Sequence, residues 1–324
     1  MNSTRGIRLT GAPSGQPGAD DFAIADYPVP APGDGELVIR ALMVSVDPYL
    51  MMPIRSSAFS GGRIRSRIIA RVEESQAAGF AAGDLVLGFA RWQECDCVAA
   101  AQMRRIEPVV PLSAYLGVAG HSGFTAMIGM GLLDPQPGQT TVVSSAGGMV
   151  GMVACQLAQA AGARVVAVAG GDKAARVAQL YGLAAGIDHG APDFSRRLAA
   201  VCPDGIDRHF ENVGAKILDP VLNLANNAAR VALCGLIQHY GDDAPVSLAH
   251  FRNILLKTIT ILPFSIYQHE HEYPGALARL EQMVLGGQLH ADETIHDGFA
   301  SLPKAFLAML AGDGIGKHLV RLAS

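Results

Sequence analysis

The sequence predicts an α/β protein built on a doubly wound parallel sheet, with a mostly β segment ahead of it. Three observations carry this reading. From about Gly138 to Phe264, six short apolar runs alternate with helix-like stretches. A glycine-rich turn, SSAGGMVG over residues 144–151, joins the first run to the first helix. Between Glu36 and Cys97 there are only short β-type runs, divided by Gly, Pro and Asp. Apolar strands alternating with helices are what a parallel sheet covered on both faces requires.

The elements follow in order. ELVIRALMVSV, IIARVEES and DLVLGFARW read as strands of a compact β domain. Residues 140–144 are a buried strand, 149–161 a helix stopped at Gly162, and 164–170 a second strand. A helix over 173–180 ends near Gly182, a third strand runs over 184–189, and a helix over 194–200 follows. GIDRHFENVG, residues 215–226 and ARVALCGL continue strand, helix, strand, and residues 258–264 supply the sixth strand. A helix over 276–285 closes at Gly286-Gly287, and from Gln288 the tail reads strand, helix, strand. The expected organisation is an insertion: residues 1–117 and 288–324 form one domain, with 118–287 folded between them.

Composition bounds the function. The chain has 324 residues, half of them hydrophobic and 17% charged, enough for a large core and about two domains. A formal net charge of −4 and a pI near 6.2 give no electrostatic footprint for nucleic acid. The mean hydropathy of +0.26 prompts a test for membrane spans. The longest stretch free of charged residues and His, 135–163, is broken by Pro137, Thr140, Thr141, Ser144, Ser145, Gln156 and Gln159, so no membrane association is expected. The first residues lack the apolar core of a secretory signal, and the five cysteines are odd in number and scattered. Both features favour reduced thiols and a cytoplasmic protein.

In the glycine-rich turn, Gly148 and Gly151 match the second and third glycines of G-x-G-x-x-G, with Ala146 at the first. The second glycine lets main chain approach a pyrophosphate, and the third lets helix pack on strand. The helix N-terminus adds free N–H groups and partial positive charge. The second strand decides between NAD and NADP, because an NAD enzyme places Asp or Glu near its end for the ribose 2′-hydroxyl. Here Ala169, Gly170 and Gly171 occupy that end, followed by Asp172, Lys173 and Arg176. Glycine lining with two cations beyond it suits a 2′-phosphate and selects NADP(H); Asp172 is the opposing feature.

With these residues located, the chain resembles the prostaglandin reductase, leukotriene hydroxydehydrogenase and curcumin reductase branch of the zinc-independent medium-chain dehydrogenases/reductases. SVDPY (45–49), LGVAGHSGFTA (116–126), SSAGGMVG, GIDRHFENVG (205–214), CGLIQHY (234–240) and GKHLVR (316–321) are its landmarks, in order over nearly the whole chain. The resemblance implies a Rossmann domain inserted in a GroES-like, mostly β barrel domain, and NADPH-dependent saturation of an activated C=C. It further implies that Gly148, Met149, Val150 and Gly151 cradle the pyrophosphate and that Asn212 lies against the cofactor. By the same likeness Cys234, Gly235, Leu236, Ile237 and Tyr240 line the cofactor, with Phe264, Ser265, Ile266 and Thr125 by the nicotinamide. Several positions depart from the family pattern. Ala174 stands where a 2′-phosphate lysine aligns, with Lys173 one place earlier; His189 replaces a tyrosine at the end of the third strand. Gly314 replaces an Asn, Met51 an Arg and Ser122 a Pro. Gly170, Lys173, Arg176 and His189 are therefore the candidates for the 2′-phosphate end.

Zinc-dependent relatives carry an early Cys and a Gly-His-Glu pair. This chain has no Cys before Cys95, no His before His121 and no C-x(2)-C spacing, so no metal is expected. Polarisation of a substrate carbonyl must then come from hydrogen-bond donors. Tyr240, beyond the fifth strand's carboxyl end, is the first candidate, since a phenol stays protonated at neutral pH and can donate to a developing enolate. Tyr49 in SVDPY is the second. Met51, Met52, Trp92, Phe264 and Tyr267 are candidates for either an apolar substrate wall or core. No G-x-S-x-G elbow suggests a hydrolase. The expected activity is reduction of α,β-unsaturated ketones or aldehydes, with a quinone oxidoreductase or a non-catalytic NADP-binding protein as alternatives. A homodimer is expected through the apolar sixth strand.

Overall fold

A computed structural model describes residues 3–13, 15–56, 62–241 and 244–322. The chain divides into two compact units, Met1–Leu116 with Glu293–Ser324, and Gly117–Asp292.

In chain order the first unit begins with β1 (Ser3–Leu9) and β2 (Phe22–Pro28), then β3 (Glu36–Ser45), α1 (Met51–Arg55), β4 (Arg65–Ser75), β5 (Leu85–Arg91), β6 (Cys95–Ala99) and β7 (Met103–Arg105). The second unit comprises α2 (His121–Leu133), β8 (Thr140–Ser144), α3 (Met149–Ala160), β9 (Arg164–Ala169), α4 (Lys173–Tyr181), β10 (Ala185–Asp188) and α5 (Phe194–Val201). It continues with β11 (Ile206–Glu211), α6 (Ala215–Leu224), β12 (Ala225–Leu233), α7 (Asn253–Leu256), β13 (Thr260–Pro263) and α8 (Tyr273–Leu285). The chain then returns to the first unit as β14 (Glu293–Asp297), α9 (Leu302–Leu310) and β15 (Lys317–Arg321).

In the first unit, β14, β15, β3, β4, β5 and β7 lie side by side, with β6 also paired to β3. All neighbours are antiparallel except β14 and β15. Apolar side chains of β3 and β4, among them Leu37, Ile39, Val44, Ile68 and Ile69, fill its interior with Leu319 and Val320 of β15. Trp92 is fully buried, donates its indole N–H to Ser66 Oγ at 2.9 Å, and packs against Phe22 and Phe306. Met51 is also buried. Of the residues weighed as a substrate wall, Met51 and Trp92 are therefore core. The buried Lys317 ammonium pairs with Asp47, which also accepts the Ser45 hydroxyl, so the two distant segments of this unit are joined by a shielded charge pair.

The β1–β2 ribbon has no counterpart in the sequence reading. It pairs antiparallel from Ser3↔Pro28 to Leu9↔Phe22, with a twelve-residue polar and glycine-rich loop that hides the hairpin pattern. The helix α2 was equally silent: it is apolar on nearly every side, so no 3.6-residue stripe marks it.

In the second unit all six strands are parallel, in the order β10-β9-β8-β11-β12-β13. The order reverses between β8 and β11, the topological switch point where ligands of such sheets collect. Every residue of β8 is buried, as a central strand covered on both faces demands. The helix expected over 215–226 stops at Leu224, and β12 begins at once. Asn226 is needed elsewhere: its amide donates to Asp207 Oδ1 at 2.9 Å and Asp204 O at 3.0 Å. The sixth strand is shorter than expected, Thr260–Pro263, because Thr258 turns with φ +52° before it.

Helix α2 rests on the sheet through Gly129, where an added Cβ would stand 2.8 Å from Phe210 Cζ. Gly129→Ala should cost about 1–3 kcal/mol by overpacking. Urea denaturation should give a lower midpoint at unchanged slope.

Candidate active site

β8 delivers Ser144 to the carboxyl edge of the sheet. Ser145 then adopts φ +50°, a conformation strained for a residue with a Cβ, and the Ala146 amide is caught by Val168 O at 2.9 Å. Gly148 is the N-cap of α3, and the first main-chain bond of that helix runs from Met152 N–H to Gly148 O. The amides of Met149, Val150 and Gly151 precede it and face out of the helix end. Gly151 is required by packing: a Cβ there would lie 2.7 Å from Ala146 Cα. Gly148 is not, since its Cβ would meet only Ser145 atoms at an ordinary 3.5 Å. Internal packing leaves room for a side chain at Gly148, so packing does not account for the glycine there, and the main chain is left open.

Beside this turn, β9 ends at Ala169 and runs into Gly170 and Gly171. Asp188, closing β10, accepts the amides of Gly190 at 2.7 Å and Gly171 at 2.9 Å. These two amides hold its carboxyl below the usual carboxylate range. Asp172 stays exposed and makes no capping bond to α4. The stem of Lys173 packs against Gly147 of the turn. Ala174 is fully buried, with its carbonyl against Gly186, so the family's lysine position cannot face a ligand here. The Arg176 guanidinium is held by Asp292 at 2.6 Å. The His189 ring lies along Gly170, where an added Cβ would stand 3.5 Å from Nε2. Its Nδ1 is buried with no hydrogen-bond partner among the described residues. Burial, with the positive charges of Lys216 and Lys173, pushes the imidazole below its usual pKa against the pull of Asp188.

At the switch point lies a buried polar network. Glu211, fully buried, accepts the amides of Val213 and Gly214, the Ser144 hydroxyl at 3.2 Å, and lies 2.5 Å from His209 Nε2. His209 Nδ1 sits 3.0 Å from Val142 O and, facing a carbonyl, must be the donor. Ser144 Oγ in turn accepts the Asn212 amide at 2.7 Å, and the Asn212 side chain donates to Ser144 O at 2.8 Å. Asn212 is thereby held beside the cofactor turn.

The segment after β12 is laced to the one after β11. Cys234 and Gly235 donate to Glu211 O, and Ile237 to Asn212 O at 3.1 Å. Tyr240 folds back over Gly235, its oxygen accepting the Leu236 amide at 3.3 Å, and burial raises the phenol pKa. His239 turns instead toward Gly214 and the first amide of α6, so it does not flank the phenol. Phe264 meets Phe210 edge-on at 6.3 Å, followed by half-buried Ser265 and Ile266. Thr125 lies on α2 with its hydroxyl donating to His121 O at 2.7 Å. Tyr49 belongs to the first unit, one residue beyond the Asp47–Pro48 step. His269 and His271 lie on a short turn with Glu272, 2.7 Å from His269 Nδ1. Among the described residues no three His, Cys, Asp or Glu are grouped as metal ligands.

Sequence reading missed Asp188, Glu211, His209 and Lys216. For Lys216 a signal existed: a lysine in the first turn of a helix opposes the helix dipole and needs a reason.

Comparison with known proteins agrees with this arrangement. The pattern described as a zinc-binding dehydrogenase matches residues 149–282, and an oxidoreductase N-terminal domain matches 5–106. The chain is 35% identical to NADPH-dependent curcumin reductase of Escherichia coli (strain K12), over 97% of this chain and 96% of that one. It is 30% identical to the NADP(+)-dependent 2-alkenal reductase of Nicotiana tabacum, over 99% and 98%. The crystal structure of CurA from Vibrio vulnificus in complex with NADPH superposes with a TM-score of 0.91 at 33% identity, covering 99% of each chain. The protein belongs to the medium-chain dehydrogenase/reductase family, in the branch that holds the curcumin, prostaglandin and 2-alkenal reductases.

Glu211→Ala strands two amides and a hydroxyl inside the protein. We expect a loss of about 2–4 kcal/mol in chemical denaturation, with weaker NADPH binding in the folded fraction.

Proposed function

We propose that this protein is an NADPH-dependent reductase that saturates the C=C bond of α,β-unsaturated ketones or aldehydes without a metal. The observation that carries it is the pairing of open helix amides at 149–151 with a glycine-lined, lysine-flanked strand end. The residues fit the cofactor: a bare Gly148 for the pyrophosphate, and His189 Nε2 beside Gly170 with Lys173 and Lys216 for the 2′-phosphate. The curcumin and 2-alkenal reductases among its relatives are both named as NADP(H) enzymes.

NADPH, when bound, supplies the hydride. The amides of Met149, Val150 and Gly151 hold the diphosphate, Gly148 lets the main chain approach it, and Gly170 keeps the strand end open. Lys173, Lys216 and His189, grouped at the strand end, take the 2′-phosphate, and Arg176 is held by Asp292. Asn212 and Cys234, Gly235, Leu236 and Ile237 border the cofactor, and Phe264, Ser265, Ile266 and Thr125 the nicotinamide. The Tyr240 phenol, kept protonated by burial, donates to the substrate oxygen as enolate charge develops. Tyr240→Phe should lower kcat on enones by roughly 10²-fold, with residual turnover from solvent protons.

A cytoplasmic homodimer completes the reading. All five cysteines are free thiols, and no helix among the described residues is long and apolar enough to cross a membrane. β13 is the sheet's edge strand, and Phe251, Leu255 and Leu256 beside it are 65%, 81% and 63% exposed. Light scattering should give twice 33.8 kDa; a monomer would remove the dimer.

The functional test is NADPH consumption with an enone panel and a quinone panel, with product analysis. Saturated ketone is expected; turnover of quinones alone replaces the alkene reading with a quinone oxidoreductase, and binding without turnover with a non-catalytic protein.

A further inference from the structure

The phosphate end of the cofactor site contains a titratable ring. His189 follows β10 and faces charged groups from three elements: Asp188 on its own strand, Lys173 opening α4 and Lys216 opening α6. Its main chain is fixed by the bond from its amide to Ala169 O at 3.1 Å. Nε2 borders the space that Gly170 leaves bare, and the buried Nδ1 has no partner among the described residues. Asp188 pulls the ring toward its charged form, but burial and Lys216 outweigh it, and its oxygens also accept the Gly190 and Gly171 amides.

We propose that His189 reads the 2′-phosphate as an imidazolium, so that binding of NADPH takes up a proton and binding of NADH does not. This rests on the cofactor site described above.

In the free protein, burial and the two lysines keep the ring neutral at pH 7. A phosphate dianion opposes both effects: it offsets the lysine charges and brings acceptor oxygens to Nε2, on the Gly170 side of the ring. One proton from solvent adds to the neutral imidazole, and an N–H then donates to a phosphate oxygen; no other bond forms or breaks. The sign follows. The free ring's pKa lies below 6.5 and the bound ring's lies higher, so protons enter on binding in the interval between them. Affinity for NADPH therefore falls as pH rises through the bound-state pKa. A phosphate monoester has its second pKa near about 6, so above pH 7 the ligand is already a dianion and the ring is the proton acceptor.

Titration calorimetry of the intact protein at pH 7.0–8.0, in buffers of different ionisation enthalpy, measures the protons exchanged with NADPH and with NADH. The wild type should take up a fraction of a proton with NADPH and none with NADH. His189→Asn and His189→Gln should abolish that uptake and weaken NADPH roughly tenfold at pH 7.0, leaving NADH affinity within about twofold. Thermal melting of each variant verifies folding. Equal proton uptake in wild type and either folded variant, or an unchanged ratio of NADPH to NADH affinity, overturns the proposal while leaving the cofactor site standing. Failure of the wild type to bind NADPH at all removes the cofactor reading itself, and this proposal with it.

Discussion

A buried carboxylate at the switch point of the parallel sheet is the constraint on which the site depends. Glu211 has lost all contact with water, and so costly a burial persists only when its lone pairs are answered. Two main-chain amides and a serine hydroxyl answer them, and the His209 ring packs against the second oxygen. Each of those groups belongs to a segment that the cofactor turn needs in place. Ser144 ends the strand that feeds the turn. Val213 and Gly214 begin the loop that carries Asn212 and leads into α6. His209 reaches across to Val142, so β8 and β11 are tied by side chains as well as by their ladder. The network therefore sets the spacing of the crevice between these strands, and the segment after β12 is tied to the same place through Glu211 and Asn212 main chain.

Around that crevice the charges are arranged against the helix dipoles. Lys173 and Lys216 stand in the first turns of α4 and α6, where a cation is disfavoured by the helix's own positive end. The nearest carboxylate, Asp188, is directed to main-chain amides. Two helix N-termini and two lysines thus set a positive field around the half-buried His189 ring, opposed by the charge of Asp188. Ala174, at the family's lysine position, takes no part in this field, because it is fully buried with its carbonyl against Gly186. The Arg176 charge is met by Asp292 within the protein.

The first unit solves a different problem, that of joining segments separated by the whole inserted unit. β15 enters between β14 and β3, and its Lys317 reaches Asp47 just past the end of β3. A shielded pair of this kind contributes little net stability but penalises any wrong register, because either charge left alone in the interior is costly. SVDPY and GKHLVR, two short motifs at opposite ends of the sequence, are in this sense one structural feature.

The sequence alone determined the parallel sheet, its six strands, the glycine-rich turn and the chemistry of the cofactor, because each is written locally: as apolar runs of strand length, as glycines at fixed spacing, as a strand end without an acid. It was silent where the pattern is uniform or the partner is distant. Helix α2 has no polar face to reveal it, and the β1–β2 hairpin is parted by a long loop. Glu211 and His209 look like ordinary strand residues until β8 is laid beside β11. Tertiary structure alone decided that Arg176 pairs with Asp292, that Met51 and Trp92 are core, and that His189 comes to lie among lysines from two helices. Charge compensation and burial are sums over neighbours brought together by folding, and linear order does not encode those sums.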